Sequence, residues 1–409
     1  MRTSGRVVSG SLVAMAVALS ATGALADPLT FWNGFTGPDR PSVEAITAEF
    51  SAANPDSPVT MDIMPWDSLM QKLLTSLGSG SGPDIVAINF AYLPQYAKSG
   101  YIMDLTDHLT AANDLDPANW SDGLKSVLQV DGRYYATPMN YATVMMYYNK
   151  DLFAAAGLDP NNPPKTWDEW IPAIKATTKA DGDAQYGLTL PDNNTVPNWP
   201  ILLWGNGADI VMDGAPGLAD PKAIEAMQKW SDLVITDKIS PTGLTGAEAD
   251  KLFETGKAAM GITGPWMTNG FTAAGLNYDV APIPEGPAGP VTLGDTVVML
   301  INKNTVDPEA AIKFLGHWNS KASQLKFAND TGFPPSRTDL AGSPELTNPW
   351  AAKFSSVVPV SRFNLAGQAN FSSINDDVFV PLIQTITLGR DSVENAASTY
   401  NEQLRALVE

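Results

Sequence analysis

Three places in the first ninety residues set a flat aromatic side chain beside a hydrogen-bonding one: Trp32-Asn33, Trp66-Asp67 and Asn89-Phe90. Such pairs suit binding better than bond-making, because the ring offers a broad polarisable face and the amide or carboxylate offers donors and acceptors. Residues that commonly make or break bonds are scarce. Cysteine is absent, which removes disulfides, thiolate metal sites and a thiol nucleophile. The two histidines, His108 and His317, lie 209 positions apart and form no ligand spacing. Neither a Gly-x-Ser-x-Gly elbow nor a phosphate-cradling P-loop occurs. No catalytic residue, metal or cofactor is expected.

The chain has 409 residues, with 44 Asp and Glu against 25 Lys and Arg, for a net charge of −19. That balance argues against nucleic acid or an anionic membrane as partner, since phosphate binding needs clustered Lys and Arg. Only 17% of residues are charged and 44% are hydrophobic, the composition of a packed protein. At this length two domains are expected. Eleven Trp is a large supply of aromatic surface.

Residues 1–26 read as a secretory signal. Arg2 and Arg6 form a positive start, Leu12–Leu19 an apolar core, and Ala24-Leu25-Ala26 a small-x-small cleavage site. The competing reading, a membrane anchor, needs a longer apolar run, and no later stretch approaches ~18 apolar residues. A secreted, unanchored chain without cysteine fits a Gram-negative periplasm.

The elements that must carry the aromatic pairs alternate between strand and helix. Leu29–Trp32 is strand-like. Val43, Ile46 and Phe50 fall at helical spacing between Pro41 and Asn54-Pro55. Val59–Met64 is strand-like, and Asp67 is a plausible N-cap for the helix of Leu69, Met70, Leu73, Leu74 and Leu77. Asp84–Ile88 is a compact apolar run of a strand buried on both faces. The alternation predicts right-handed βαβ units on a mostly parallel sheet, where ligands sit beyond the carboxyl ends of the strands. Those ends hold the three aromatic pairs. Further on, Tyr134–Pro138 and Thr143–Asn149 are extended. Thr166 caps a helix from Trp167 with Glu169 at the capping-box position, Ala223–Thr236 is amphipathic, and Pro282–Pro290 reads as a connection between lobes.

Five blocks, in order, resemble the extracellular solute-binding proteins of family 1, the carbohydrate group that includes maltose-binding and glycerol-3-phosphate-binding proteins. They are Gly82-Pro83-Asp84-Ile85-Val86 with Gly100-Tyr101-Ile102-Met103-Asp104-Leu105; Asp131-Gly132-Arg133-Tyr134-Tyr135-Ala136-Thr137-Pro138; Tyr148-Asn149-Lys150-Asp151-Leu152-Phe153 with Pro163-Pro164-Lys165-Thr166-Trp167; Phe253-Glu254-Thr255-Gly256-Lys257 with Gly264-Pro265-Trp266; and Gly332-Phe333-Pro334-Pro335-Ser336-Arg337. The resemblance implies an α/β periplasmic-binding-protein type II fold. Lobe one would comprise 27–137 and 283–322, and lobe two 138–282 and 323–409. A hinge and an interlobe ligand cleft join them. It further implies a monomer that closes on a solute and docks on a membrane permease of the ABC type.

Sugars need aromatic planes for their C–H faces and paired polar groups for their hydroxyls. On the family pattern the cleft would be lined by Trp32, Asn33, Trp66, Asp67, Asn89 and Phe90. Asn140 and Tyr141 would contribute in the crossing region and Trp199 and Trp204 in lobe two. Gly264 and Trp266, in Gly-Pro-Trp, are the strongest expectation. Gly294 and Asp295 fall on the return to lobe one, although Leu293 stands where the pattern has its first Gly. Phe333 and Arg362 complete the set. Packing is the competing role for each Trp, and helix capping for Asp67. Trp120, Trp167, Trp170, Trp230, Trp318 and Trp350 are assigned to packing.

The ligand expected is a neutral sugar of one to three rings. Glycerol 3-phosphate or a related phosphodiester is the alternative, but a phosphate pocket calls for basic groups and Arg362 is the only one in the set. A secreted glycoside hydrolase would share the acidity and the aromatics but needs a placed pair of carboxylates. A ferric-ion site built on a Tyr pair is disfavoured, because adjacent Tyr on a strand point to opposite faces.

Overall fold

The computed structural model describes residue 1 and residues 27–179, 184–193 and 197–408. The signal assigned to 1–26 lies, apart from Met1, outside the described residues.

The first elements follow the apolar periods. Strand β1 (Leu29–Asn33) leads to helix α1 (Arg40–Ala53), β2 (Val59–Ile63), α2 (Trp66–Gly78) and β3 (Ile85–Asn89). α1 has Pro41 in its first turn, ends at Asn54 and buries Val43, Ile46 and Phe50. β1 pairs in parallel with both β2 and β3. α2 begins earlier than its apolar spacing suggests. Extended Pro65 is the N-cap and Trp66 the first helical residue, so Asp67 falls within the first turn and not at the N-cap position.

The chain then crosses. β4 (Thr137–Pro138), β5 (Ala142–Thr143) and β6 (Met145–Asn149) lie nearly end to end, and each enters a different sheet. β6 is the centre of an antiparallel sheet between β7 (Met260–Thr263) and β8 (Tyr278–Ala281). From β8 the Pro/Gly-rich 282–291 stretch leads back through β9 (Thr292–Asp295) and β10 (Val297–Ile301). β10 joins the first sheet, ordered β2-β1-β3-β10-β4, antiparallel to its neighbours. β5, β9 and β11 (Ser361–Phe363) form a small sheet of their own, ordered β11-β9-β5. Two α/β lobes therefore meet at a three-stranded hinge.

Strand alternation gives the first sheet two covered faces. Phe31, Ile85, Ala87, Met299 and Ile301 pack with α1 and the helix Pro308–Asn319. Val86, Ile88, Val298 and Leu300 pack with Leu69, Leu73 and Leu77 of α2. Helix Lys321–Thr331 adds Phe327 to the α1 face. The second lobe is built around Trp170 and Trp230, whose rings lie 5.1 Å apart. Of the six Trp assigned to packing, five are buried; half-buried Trp350 stacks on Tyr278 at 5.2 Å. Among the described residues no helix is long and apolar enough to cross a membrane.

Candidate functional site

The carboxyl ends of β1, β2 and β3 form one wall. In-register pairing sets Asn33 opposite Ile63, so the chain leaving β2 delivers Trp66 onto the turn after β1. The Trp66 indole lies against Gly34 so closely that a Cβ there would stand 2.0 Å from the ring. Phe35 meets the same indole edge-on at 5.4 Å. Asn33 is buried; its Oδ1 accepts the Phe35 N–H at 3.2 Å, while its Nδ2 has no partner among the described residues. At the end of β3, Asn89 caps the following turn by accepting the Ala91 N–H and donates to the Asp295 carboxylate at 2.7 Å.

The second lobe supplies the facing wall. β7 runs into Gly264-Pro265-Trp266, and buried Tyr147 fixes this turn by donating its hydroxyl to the Gly264 carbonyl at 2.6 Å. The Trp266 indole folds back over Gly264, where a Cβ would again stand 2.0 Å from the ring. Half-buried Trp266 touches the cores of both lobes and lies 6.2 Å from buried Phe333. Phe333 continues through Phe327 (5.2 Å) to Phe35 (6.4 Å) and so to Trp66. On the other side of the first sheet, Phe371 reaches across to Tyr92, ring to ring at 5.5 Å.

The hinge absorbs four expected site residues. Asn140 Oδ1 accepts the Val297 N–H at 2.8 Å, and its carbonyl accepts the Thr296 hydroxyl at 2.7 Å, tying the two crossings together. Tyr141 bonds Ser361 at 2.7 Å and stacks on Phe363 at 5.8 Å, and burial pushes its phenol up. Gly294 pairs with Phe363 in the hinge sheet, beside Ser361. Burial raises the Asp295 carboxyl, opposed by the hydrogen bond from Asn89. Phe363 also receives buried Phe90 edge-on at 4.9 Å.

The structure therefore brings together two groups of the expected residues. One contains Trp66, Gly264, Trp266 and Phe333. The other contains Asn89, Phe90, Asn140, Tyr141, Gly294 and Asp295. Asn33 ends β1 next to Trp66's seat. Four others stand apart. Trp32 lies on the α2 face of the sheet, donates to Asp62 at 2.9 Å and carries the Lys72 ammonium 4.1 Å over its ring. Trp204 is only 3% exposed, with the Arg362 guanidinium 4.8 Å over its ring. Arg362 also pairs with Asp209 at 2.6 Å, and these groups line an open cavity of about 510 Å³ beside the hinge. Trp199 is equally buried, at the edge of a small cavity of about 30 Å³. The Asp67 side chain lies outside the described part of the structure. Among the described residues no group of His, Asp and Glu could hold a metal ion.

Sequence reasoning missed Phe35, Tyr92, Phe363 and Phe371. Phe35 and Tyr92 were within reach, two residues beyond nominated strand ends. Phe363 and Phe371 carry no motif, and only folding brings them to β3.

Residues 45–353 match the family model described as bacterial extracellular solute-binding protein. A binding protein of Brucella abortus (strain 2308) is 31% identical over 362 residues, 86% of this chain and 85% of that one. An ABC-transporter solute-binding protein from Thermotoga lettingae, solved with α-D-tagatose, superposes with a TM-score of 0.83 at 23% identity, covering 94% of this chain and 100% of that one. The UgpB protein of Mycobacterium tuberculosis, solved with glycerophosphocholine, gives 0.83 at 20% identity, covering 94% and 98%.

Proposed function

The chain belongs to the bacterial extracellular solute-binding proteins, with their type II two-lobe fold, and we propose that it captures a neutral sugar of one to three rings in the periplasm and delivers it to an ABC permease. The observation that carries this reading is the pair of half-buried indoles, Trp66 and Trp266, each seated on a glycine and borne by opposite lobes. Aromatic planes fixed in this way suit the C–H faces of a sugar ring. Of the polar candidates, Asn33 stands beside the Trp66 seat, and Asn89 with Asp295 lies in the hinge-side group. Hinge closure around the ligand would follow from the β5, β9 and β11 sheet. Lobe one is read as 27–137 with 283–322 and lobe two as 138–282 with 323–409, except that helix Lys321–Thr331, which the last boundary cuts, packs through Phe327 with the first-lobe core, as does Phe333.

A glycerophosphate ligand is supported by the likeness to UgpB, but the nominated groups offer it little. Arg362 is the one basic residue among them, and it is engaged by Asp209 and Trp204. The relatives named above are binding proteins, and the present reading is of a binder that returns its ligand uncleaved. Calorimetry against glucose, galactose, maltose, trehalose, sucrose and maltotriose, with glycerol 3-phosphate and glycerophosphocholine alongside, tests this. Tight binding of a neutral sugar is expected, with no new product on long incubation. Binding of the phosphorylated ligands alone would reject it.

A further inference from the structure

Helix Lys321–Thr331 packs in the core of the first lobe through Phe327, and like any helix it leaves its last four carbonyls without partners of its own. The Gly332 N–H, in a left-handed turn with φ 84°, takes the Ala328 carbonyl at 2.9 Å. The other three meet side chains of the second lobe. Asn348 Nδ2 donates to the Asn329 carbonyl at 2.9 Å, and Asn269 Nδ2 to the Asp330 carbonyl at 3.1 Å. The Thr268 hydroxyl lies between two acceptors, the Pro265 carbonyl at 2.8 Å and the Thr331 carbonyl at 3.3 Å. Thr268 and Asn269 open the helix that follows Gly264-Pro265-Trp266, and that helix buries Phe271 against Tyr147. Asn348 caps helix Pro349–Ser356, whose Phe354 lies in the same core. One lobe therefore supplies the helix end and the other supplies its caps.

The same helix end is held from both sides. Ser42 of α1 and Lys326 donate to the Asp330 carboxylate at 3.1 and 2.9 Å. The Asn329 side chain accepts the Thr347 and Asn348 N–H groups at 2.8 and 3.2 Å and donates to the Glu345 carbonyl at 2.9 Å. The chain that crosses from Gly332 to helix Pro349–Ser356 is thus tied to the first lobe at the point where it reaches the second. Contacts between two lobes survive a rotation only close to its axis. We propose that Thr268, Asn269 and Asn348 are positioning residues, which make this corner, together with the hinge sheet, the pivot of lobe motion. Trp266, two residues before Thr268, then keeps its place beside Phe333 whether the cleft is open or closed, and its ring is already set when a ligand arrives. The proposal concerns the motion and rests on no particular ligand.

Because cysteine is absent, spin labels can be placed on chosen pairs of exposed positions. Ala48→Cys on α1 with Ala274→Cys after helix Thr268–Ala273 spans the corner. Gln71→Cys on α2 with Thr236→Cys at the end of helix Pro221–Ile235 reads two elements that take no part in it. Distances are measured by pulsed electron resonance with and without whichever member of the calorimetry panel binds, sugar or glycerophosphocholine. The corner pair should give one narrow distance that the ligand leaves unchanged, while the second pair shifts. Asn269→Ala and Thr268→Val should each broaden the corner distance and speed ligand release about tenfold, and Thr268→Ser should keep the wild-type values. A corner distance that shifts along with the second pair would overturn the proposal. So would two unmoved pairs with ligand bound, or a corner left unchanged by both variants. Asn269 is exposed, so Asn269→Ala decides if Thr268→Val fails to fold. Binding of glycerophosphocholine alone would reject the neutral-sugar reading and leave this test intact, and with no ligand at all the variants still decide it.

Discussion

Asn89 donates its side-chain amide to the Asp295 carboxylate at 2.7 Å, joining the end of β3 to the end of β9 across 206 positions of sequence. One partner belongs to the proposed ligand wall and the other to the hinge, so the bond couples the position of the wall to the angle of the lobes. Asp295→Ala leaves Asn89 without that partner. Losing a partner in a buried pair costs about 1–3 kcal/mol. We expect sugar affinity to fall about tenfold, with a modest drop in Tm, measured by calorimetry and thermal melting. Unchanged affinity would show that the bond plays no part in binding.

Trp266 and Trp230 should respond in opposite ways. Trp266 is half-buried between the lobes, whereas Trp230 is fully buried against Trp167 and Trp170. Trp266→Ala should cost binding about 2 kcal/mol or more, roughly thirtyfold, while the melting temperature shifts little. Trp230→Ala should cost folding about 3–5 kcal/mol. Thermal melts and calorimetry on the two variants separate the roles.

Gly264 is a seat, and the seat can be filled. A methyl group there would meet the Trp266 ring at 2.0 Å and force the indole to move. Gly264→Ala should therefore reproduce much of the binding loss of Trp266→Ala with an unchanged circular dichroism spectrum. An affinity equal to wild type would mean that the indole's orientation is irrelevant to the ligand.

Burial raises the Asp250 carboxyl to about 7, against a hydrogen bond from Thr263, and raises Asp39 to about 6. A carboxyl raised in the folded state binds its proton more tightly there than in the unfolded chain, whose value is near 3.8. Its stabilising contribution is complete below that value and is lost as pH rises through about 6 to 7. Asp250→Asn removes the titrating group, so its gain in Tm over wild type should be larger at pH 8 than at pH 4. Each 1 kcal/mol recovered is worth about 2–4 °C in a domain of this size. A gain that is the same at both pH values would contradict the shift.

Local chemistry and period were legible in the sequence. The β1-α1-β2-α2-β3 alternation, the Thr166 cap and the Gly-Pro-Trp turn after β7 are all statements about neighbours within a few residues, which the order of side chains encodes directly. The family blocks supplied the two-lobe plan on the same footing. Six Trp assigned to packing lie on cores or against other rings. The boundary of α2 was misplaced because Pro65 turns the chain straight from β2 into the helix, and a local cap signal at Asp67 could not reveal that.

What tertiary structure decided is which way long-range partners face. Trp204 and Arg362 are 158 positions apart, and only the fold lays one over the other, closing a ring face that composition alone left open. Asn140 stands at the crossing as expected, but the return of β10 occupies its side-chain Oδ1. Phe371 meets Tyr92 because a segment near the C-terminus comes back over β3. Such pairings carry no period and no spacing. They arise when sheets and helices settle the relative pose of segments hundreds of residues apart, so the strand ends could be found in the chain, while the walls they face had to be found in space.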